Sequence, residues 1–210
     1  MKVLILLAAI VWLACAVLGV AYLTRLKNTP AGQDAAFPAA FPPDSRLIVD
    51  GERPTLIVFA HPKCPCTHAT LGELARLLAD LDGEVSTYVV FIRPPDESDD
   101  WTQTELRSAA EAIPNVQVVI DRDNRETNIF NAYASGSTLL YDRAGRLRFH
   151  GGLTAARGHE GDNAGRRAIF EIVTSETSNT GESAIFGCPL HKKDCDGELI
   201  EAGTEESPIQ

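Results

Sequence analysis

Hydrophobic residues along this chain fall into two kinds of pattern, short continuous runs and sets repeated at helical spacing. The run Thr55-Leu56-Ile57-Val58-Phe59 is rich in β-branched and aromatic residues and is bounded by prolines, which is typical of a buried strand. Other runs of this kind are shorter or partly alternating, and the last two flank a tight turn around Gly145. Together the runs predict strands at residues 47–49, 55–59, 85–92, 116–120, 138–141 and 147–150.

The helical pattern is clearest after Cys66, where five leucines recur at helical spacing before Gly83 supplies a stop. Further helices are predicted at residues 101–112, 125–134 and 163–174, the last with Asp162 or Asn163 as its N-cap. Strands and helices therefore alternate three times and are followed by a β-hairpin and a closing helix. This order predicts an α/β fold with a mixed central sheet that is covered on both faces.

The N-terminus carries a second strong signal. Residues 3–23 contain no charged side chain, and a membrane-spanning helix needs about 20 such residues. Lys2 precedes this stretch, and Arg25 and Lys27 follow it, so the basic residues hardly decide its orientation. The stretch is longer than a usual signal-peptide core and lacks a clean cleavage site, which favours an uncleaved anchor over a cleaved signal.

Composition divides the rest of the chain into a linker, a domain and a tail. Residues 1–27 are the predicted anchor, and residues 28–45, rich in Ala, Pro and Gly, are predicted to be a tether. The predicted domain covers residues 46–176, and residues 177–210 form a tail that contains two cysteines. A net charge of -10 argues against nucleic acid and against an anionic membrane surface as partners.

The junction between the strand at 55–59 and the next helix holds the main candidate chemistry. Cys64 and Cys66 lie there one residue apart, where unpaired backbone N–H groups and the helix dipole favour a thiolate. Cys64 is the candidate nucleophile, with Lys63 as a second stabilising group, and Cys66 is the candidate resolving thiol. His61 and His68 are candidates for proton exchange with this pair, although each is more commonly a surface or capping residue.

The same residues also fit a metal site. His61, Cys64, Cys66 and His68 together offer two thiolates and two imidazoles, a donor set that suits Cu(I) or Zn. The weakness of this alternative is the spacing, because Pro65 stiffens the short loop between the two sulfur atoms.

Three further cysteines complete the inventory. Cys15 lies inside the apolar N-terminal stretch, where no chemistry is expected of it. Cys188 and Cys195 have three interpretations, of which we favour the first: a structural disulfide closing a short loop. In the second, Cys188 folds back as a third thiol against the active-site cysteines, since Cys188-Pro189 repeats the dipeptide Cys64-Pro65. In the third, both bind a metal together with His191.

The cysteine turn, the element order and the hairpin resemble the thioredoxin-like superfamily, and within it the membrane-anchored proteins of bacterial cell envelopes. Several motifs between Pro54 and Leu190 are similar to the RedB family. They are His61-Pro62-Lys63-Cys64-Pro65-Cys66-Thr67, Gly151-Gly152-Leu153-Thr154, Arg157-Gly158-His159, Gly161-Asp162-Asn163-Ala164-Gly165 and Phe186-Gly187-Cys188-Pro189-Leu190. The resemblance implies a thioredoxin-like three-layer fold and redox-active cysteines.

Two features depart from the superfamily's usual pattern. Thioredoxins place two residues between their cysteines, whereas one residue separates Cys64 from Cys66. Where the fold usually has a cis-proline lining its substrate groove, this chain has Gly136 and Ser137. A cis bond before a residue other than proline costs ~3 kcal/mol, so Ser137 is expected to be trans.

The sequence therefore predicts a thiol–disulfide oxidoreductase with a Cys-Pro-Cys site, tethered by residues 3–23 as a single-pass inner-membrane protein facing the periplasm. Its expected partners are a protein thiol or disulfide and a membrane electron donor, and no cofactor is expected. The alternative from another class is a thioredoxin-like copper-binding or metallochaperone protein. A third hypothesis is a non-catalytic thioredoxin-like scaffold.

Overall fold

A computed structural model of the protein describes residues 2–31, 36–175 and 180–190. The strands are β1 (Thr55–Ala60), β2 (Ser86–Arg93), β3 (Val116–Arg122), β4 (Thr138–Tyr141), β5 (Leu147–Gly151) and β6 (Gly181–Glu182). The α-helices are α1 (Lys2–Asn28), α2 (Pro65–Leu81), α3 (Glu105–Glu111), α4 (Arg125–Ile129) and α5 (Ala164–Ser175). A short 3-10 helix, Asp99–Thr102, precedes α3.

All six strands belong to one mixed sheet in the order β3-β2-β1-β4-β5-β6. β1, β2 and β3 are parallel, β4 runs antiparallel to β1, and β5 returns antiparallel to β4. One face packs against α2 and α5, and the other is covered by α4 and by irregular segments. The predicted α/β fold with a mixed central sheet covered on both faces is thereby confirmed.

The central position of β1 explains its continuous apolar run. Leu56 and Val58 belong to the core on one face, and Ile57 and Phe59 belong to the core on the other. All four are fully buried, because β1 has a strand on each side and packed layers above and below. β1 therefore ends at a rigid point, and the chain leaves it directly into the cysteine turn.

The strand predicted at residues 47–49 is absent from the structure. Both edges of β1, the strand that follows this segment, are occupied by β2 and β4, so the segment cannot pair with β1. Leu47 is buried in the second core instead. The helices predicted at 101–112 and 125–134 are both shorter than expected, and α3 starts only after Thr104, whose Oγ1 accepts a hydrogen bond from the Arg107 N–H.

Two segments outside the predicted domain pack onto the sheet. In the predicted tether, Phe41 contacts the rings of Phe130 and Tyr141, and its N–H donates to the carbonyl of Gly145. In the predicted tail, β6 pairs with β5, and residues 185–190 continue across the fold. Neither segment has a hydrophobic period that would mark it as part of the domain.

The helix α1 matches the predicted anchor. It is 27 residues long, its most apolar window has a mean hydropathy of 3.0, and none of that window is buried against the domain. By length and composition it is therefore able to cross a membrane, a property that uncleaved anchors share with signal sequences. Arg25 and Lys27 lie in its last turn.

Asp121, at the end of β3, caps the helix that follows it. Its carboxylate accepts hydrogen bonds from the backbone N–H groups of Glu126 and Thr127, each at 2.8 Å, and from the Thr127 hydroxyl. Burial raises the pKa of this carboxyl despite these hydrogen bonds. Asp121 is therefore a buried capping group.

We expect Asp121→Ala to lower the free energy of unfolding by about 2–4 kcal/mol, because it leaves buried donors of α4 without an acceptor. The exposed Asp96 is the matched control, and Asp96→Ala should change stability by less than about 0.5 kcal/mol. Urea unfolding of the full chain in detergent micelles, followed by tryptophan fluorescence, measures both variants. Equal effects at the two positions would contradict the capping role.

Candidate functional site: a cluster of three cysteines

Cys64 is the N-cap residue of α2 and follows the end of β1 by four residues. Pro65 occupies the first helical position, where its fixed φ and missing N–H are both compatible with a helix start. The Cys64 side chain is 1% exposed. The structure therefore shows this thiol at a strand-to-helix junction, as predicted. Cys66 is the second residue of α2.

The nearest side chain to the Cys64 sulfur comes from the far end of the chain. Cys188 Sγ lies 2.8 Å from Cys64 Sγ, although the two residues are 124 positions apart. Both are free thiols in this structure. Cys195, the partner expected for Cys188 in a structural disulfide, lies outside the described residues.

Backbone pairing places Cys188 in this position. The Ser135 N–H donates to the carbonyl of Cys188 at 2.8 Å, and the Leu190 N–H donates to the carbonyl of Tyr133 at 3.0 Å. An antiparallel bridge lies between these two hydrogen bonds. Residues 186–190, here called the docked tail, therefore run antiparallel to the loop that leads into β4 and are joined to it by an isolated β-bridge.

Two further contacts lock the docked tail in place. The Arg157 guanidinium donates to the carbonyl of Gly187 at 2.6 Å. Gly187 itself packs so closely on the Ser135 carbonyl that a Cβ atom would overlap it. Only glycine fits at this approach of two backbones.

Cys64 is the most acidic of the three thiols. Burial opposes its ionisation, but hydrogen bonds from the Cys188 thiol and from the backbone N–H groups of Cys188, Cys66 and Thr67 outweigh burial and lower its pKa. Burial and the hydrogen bond and charge of Cys64 raise the pKa of Cys188 to about 12. The arrangement favours ionisation of Cys64 and keeps the proton on Cys188.

Cys66 is half-buried and also stays protonated. Burial raises its pKa, the negative charge of Cys64 and a hydrogen bond to the Cys64 side chain raise it further, and Arg157 acts in the opposite direction. Cys66 therefore contributes a backbone donor to the Cys64 thiolate and a second neutral thiol at its side. The Cys-Pro-Cys turn thus contains two thiols whose pKa values are shifted in opposite directions, downward for Cys64 and upward for Cys66.

Lys63 and His61 are both engaged with Trp101 rather than with the thiolate. Lys63 Nζ lies 4.6 Å from the centre of the indole ring, and the His61 ring meets the same indole edge-on at 5.2 Å. His61 Nδ1 accepts a hydrogen bond from the Lys63 N–H at 3.1 Å. Burial lowers the pKa of His61, with a further contribution from Lys63, so the ring is neutral at pH 7. Hydrogen bonds, rather than the predicted Lys63 charge, are the main stabilisers of the Cys64 thiolate.

His68 lies on the outer surface of α2. Its side chain is 77% exposed, and its Nδ1 is 3.5 Å from a carboxylate oxygen of Glu160. Within residues 2–31, 36–175 and 180–190, no three His, Cys, Asp or Glu side chains are placed so that they could hold a metal ion. The structure does not gather His61, Cys64, Cys66 and His68 into the predicted ligand set.

The predicted groove residues Gly136 and Ser137 are part of the backbone frame. The Ser137 peptide bond is trans, as expected. The Gly136 N–H donates to the carbonyl of Phe59, and the Phe59 N–H donates to the carbonyl of Ser137. These hydrogen bonds continue the pairing of β4 with β1 into the loop before β4. Ser137 is buried, and its hydroxyl has no hydrogen-bond partner among the described residues.

Ser135 is a site residue that sequence reasoning missed. Its hydroxyl accepts a hydrogen bond from the His61 N–H at 3.0 Å and lies 2.8 Å from the Thr67 hydroxyl. Its backbone N–H binds the docked tail. Ser135 thus joins the cysteine turn to Cys188, and its only sequence signal is its place two residues before Ser137.

Arg157 also joins separate parts of the site. Its loop is anchored on α2 by the buried Glu73, which accepts hydrogen bonds from the Gly161 N–H at 2.7 Å and from Asn163 at 3.2 Å. The Arg157 N–H donates to the carbonyl of Lys27, near the end of α1. Arg157 therefore connects the docked tail, through its side chain, to the end of α1, through its backbone N–H.

Comparison with known proteins gives structural matches only. No protein-family model matches the chain, and no curated protein matches it. A hypothetical protein from Sinorhizobium meliloti 1021 is 19% identical with a TM-score of 0.54, over 78% of this chain and 95% of that one. An uncharacterised conserved protein from Geobacillus kaustophilus is also 19% identical with a TM-score of 0.54, over 80% and 95% of the two chains. These two likenesses concern the fold alone.

A secreted disulfide oxidoreductase of Mycobacterium tuberculosis, homologous to E. coli DsbE, is a more distant match. It is 14% identical with a TM-score of 0.42, over 65% of this chain and 93% of that one. The structural neighbours thus include thioredoxin-like oxidoreductases.

Proposed function

We propose that this protein is a membrane-tethered thiol–disulfide oxidoreductase of the cell envelope, with Cys64 as the attacking thiolate. The observation that carries the proposal is the contact between two free thiols at the start of α2, where Cys64 Sγ lies 2.8 Å from Cys188 Sγ. One buried thiol has a lowered pKa, while both neighbouring thiols have raised pKa values. Thiol–disulfide exchange needs one thiolate that attacks the partner disulfide and a second thiol that later resolves the mixed disulfide.

The first step follows from this arrangement. Cys64 S⁻ attacks one sulfur of a partner disulfide, which forms a mixed disulfide and releases the other partner sulfur as a thiolate. That thiolate takes a proton from water. A second thiol of the cluster then attacks the Cys64 sulfur and releases the partner's remaining thiolate, so the partner gains two electrons and the protein loses two.

The membrane tether and the narrower resemblance to the RedB family belong to the same proposal. The length and composition of α1 support a single-pass inner-membrane anchor with the domain on the periplasmic side. Contacts of Lys27 with Arg157 and of Ala31 with Ile185 hold the end of this helix close to the docked tail. The cysteine cluster would therefore act near the membrane surface, within reach of a membrane electron donor.

The experiment is a redox titration of the reduced full chain in detergent micelles against glutathione buffers, with the state of each cysteine read by alkylation and mass spectrometry. We expect a reversible two-electron couple that includes Cys64, and reduction of a model disulfide that falls to background in Cys64→Ser. Cys15→Ser, within α1, is the matched control and should react like the unaltered chain. Copper bound stoichiometrically and lost in Cys64→Ser, or a Cys64 that never oxidises, would contradict the proposal.

A further inference from the structure

We infer that Cys188, and not Cys66, is the resolving thiol, so that turnover closes a disulfide between the start of α2 and the docked tail. This inference rests on the proposed function and assigns the second cysteine of the same reaction. The second thiol would then be supplied by the docked tail, which pairs with the loop before β4, rather than by the Cys-Pro-Cys turn.

Distance is the first argument. The sulfur atoms of Cys64 and Cys188 are 2.8 Å apart, and a disulfide bond is about 2.05 Å long, so the bond needs only a small approach of the two side chains. The two cysteines lie on different elements that meet side by side. Their approach leaves the hydrogen bonds of α2 intact.

The Cys64–Cys66 pair has a less favourable geometry. The Cys66 thiol also hydrogen-bonds the Cys64 side chain, but a disulfide between them would close a small ring across one intervening residue, which strains disulfide geometry and requires the first turn of α2 to change. Pro65 stands between them with a fixed φ and resists that change. Cys66 is therefore better suited to keeping its backbone N–H directed at the Cys64 thiolate, where it already lowers the pKa of Cys64.

Three contacts on the docked tail also fit a thiol that must return to one position in every cycle. Ser135 and Tyr133 hold its backbone, and Arg157 holds the carbonyl of the residue that precedes Cys188. Gly187 permits the close approach to Ser135. A thiol required only for packing would not need its backbone fixed on both sides of the cysteine.

The resolving step balances as follows. The Cys188 thiol gives its proton to water or to the departing group, and its sulfur attacks Cys64 Sγ of the mixed disulfide. The Cys64–partner S–S bond breaks as the Cys64–Cys188 bond forms. The partner leaves as a thiolate and takes up a proton, so the protein dithiol is oxidised by two electrons and the partner disulfide is reduced by two.

Trapping the mixed disulfide tests this assignment. The reduced full chain in micelles is mixed with oxidised glutathione, quenched by alkylation and mapped by mass spectrometry, with Cys195→Ser as the common background. We expect Cys188→Ser to accumulate glutathione on Cys64, at least tenfold above the unaltered chain. Cys66→Ser is the matched variant and should instead yield a peptide pair that joins Cys64 to Cys188.

The opposite result overturns the inference: glutathione accumulating on Cys64 in Cys66→Ser, or a Cys64–Cys66 linkage in the chain that keeps all three cysteines. Cys188→Ala repeats the measurement with a side chain that cannot donate a hydrogen bond, and it should trap glutathione as Cys188→Ser does. Failure of the proposed function looks different, because Cys64 then takes up no glutathione in any variant.

Discussion

Removing the Cys188 thiol should raise the pH at which Cys64 is alkylated at half its maximal rate by about one pH unit, which corresponds to the loss of one hydrogen bond to a charged group. In the unaltered chain, hydrogen bonds that include the Cys188 thiol lower the pKa of Cys64 although burial opposes them. In Cys188→Ala the thiolate loses that donor, while burial still disfavours the charge. The pKa of Cys64 therefore rises, and less thiolate is present at pH 7.

The measurement is the rate of iodoacetamide modification of Cys64 against pH, under reducing conditions, followed by peptide mass spectrometry. The midpoint is compared rather than the maximal rate, since a smaller residue at position 188 also opens access to Cys64. Cys66→Ala is the comparison variant, because it removes the hydrogen bond of the Cys66 thiol but keeps the backbone N–H that donates to Cys64, and its midpoint should rise by less than that of Cys188→Ala. A midpoint that stays in place or falls in Cys188→Ala would show that Cys188 does not stabilise the thiolate.

Gly187→Ala should slow formation of the Cys64–Cys188 disulfide by about 100-fold, because a tethered but undocked thiol has a far lower effective concentration than a positioned one. The added Cβ atom would overlap the carbonyl of Ser135, and neither backbone can move aside as a flexible side chain could. The docked tail then loses its hydrogen bonds to residues 133–135 and carries Cys188 away from Cys64. The half-alkylation pH of Cys64 should rise with it, as in Cys188→Ala.

Gly72→Ala, on the active-site helix α2, is the control for this experiment. A Cβ atom there meets only the carboxylate end of Glu160, a flexible side chain that can shift. Disulfide formation in that variant should match the unaltered chain. Stopped-flow oxidation with oxidised glutathione, combined with mass spectrometric mapping of the product, gives the rate. An unchanged rate in Gly187→Ala would mean that tail docking does not control the encounter of the two thiols.

The local pattern of the sequence predicted the elements that carry Cys64. A fully apolar run is expected of a strand buried on both faces, and β1 is such a strand. Leucines at helical spacing predicted α2, and the junction between the two elements placed Cys64 at a helix start. These predictions succeeded because they depend on residues that are neighbours in the chain.

The interpretations that the structure did not bear out or left open depended on contacts between residues that are far apart in the sequence. The segment at residues 47–49 has strand-like composition but cannot pair with β1, because β2 and β4 flank β1. The predicted role of Lys63 depended on the direction of a long side chain, which the indole ring of Trp101 attracts. His68 is near the cysteines in sequence, yet it faces Glu160 on the surface of α2.

Cys64 at the start of α2 thus follows from sequence alone, since hydrophobic spacing and a proline at the first helical position are local signals. The contact with Cys188 is not local. It arises because the sheet order brings the loop before β4 alongside β1, and because the docked tail binds that loop through backbone groups common to every residue type. Backbone pairing of this kind leaves no mark in the order of side chains, so folding in three dimensions was needed to select the third cysteine.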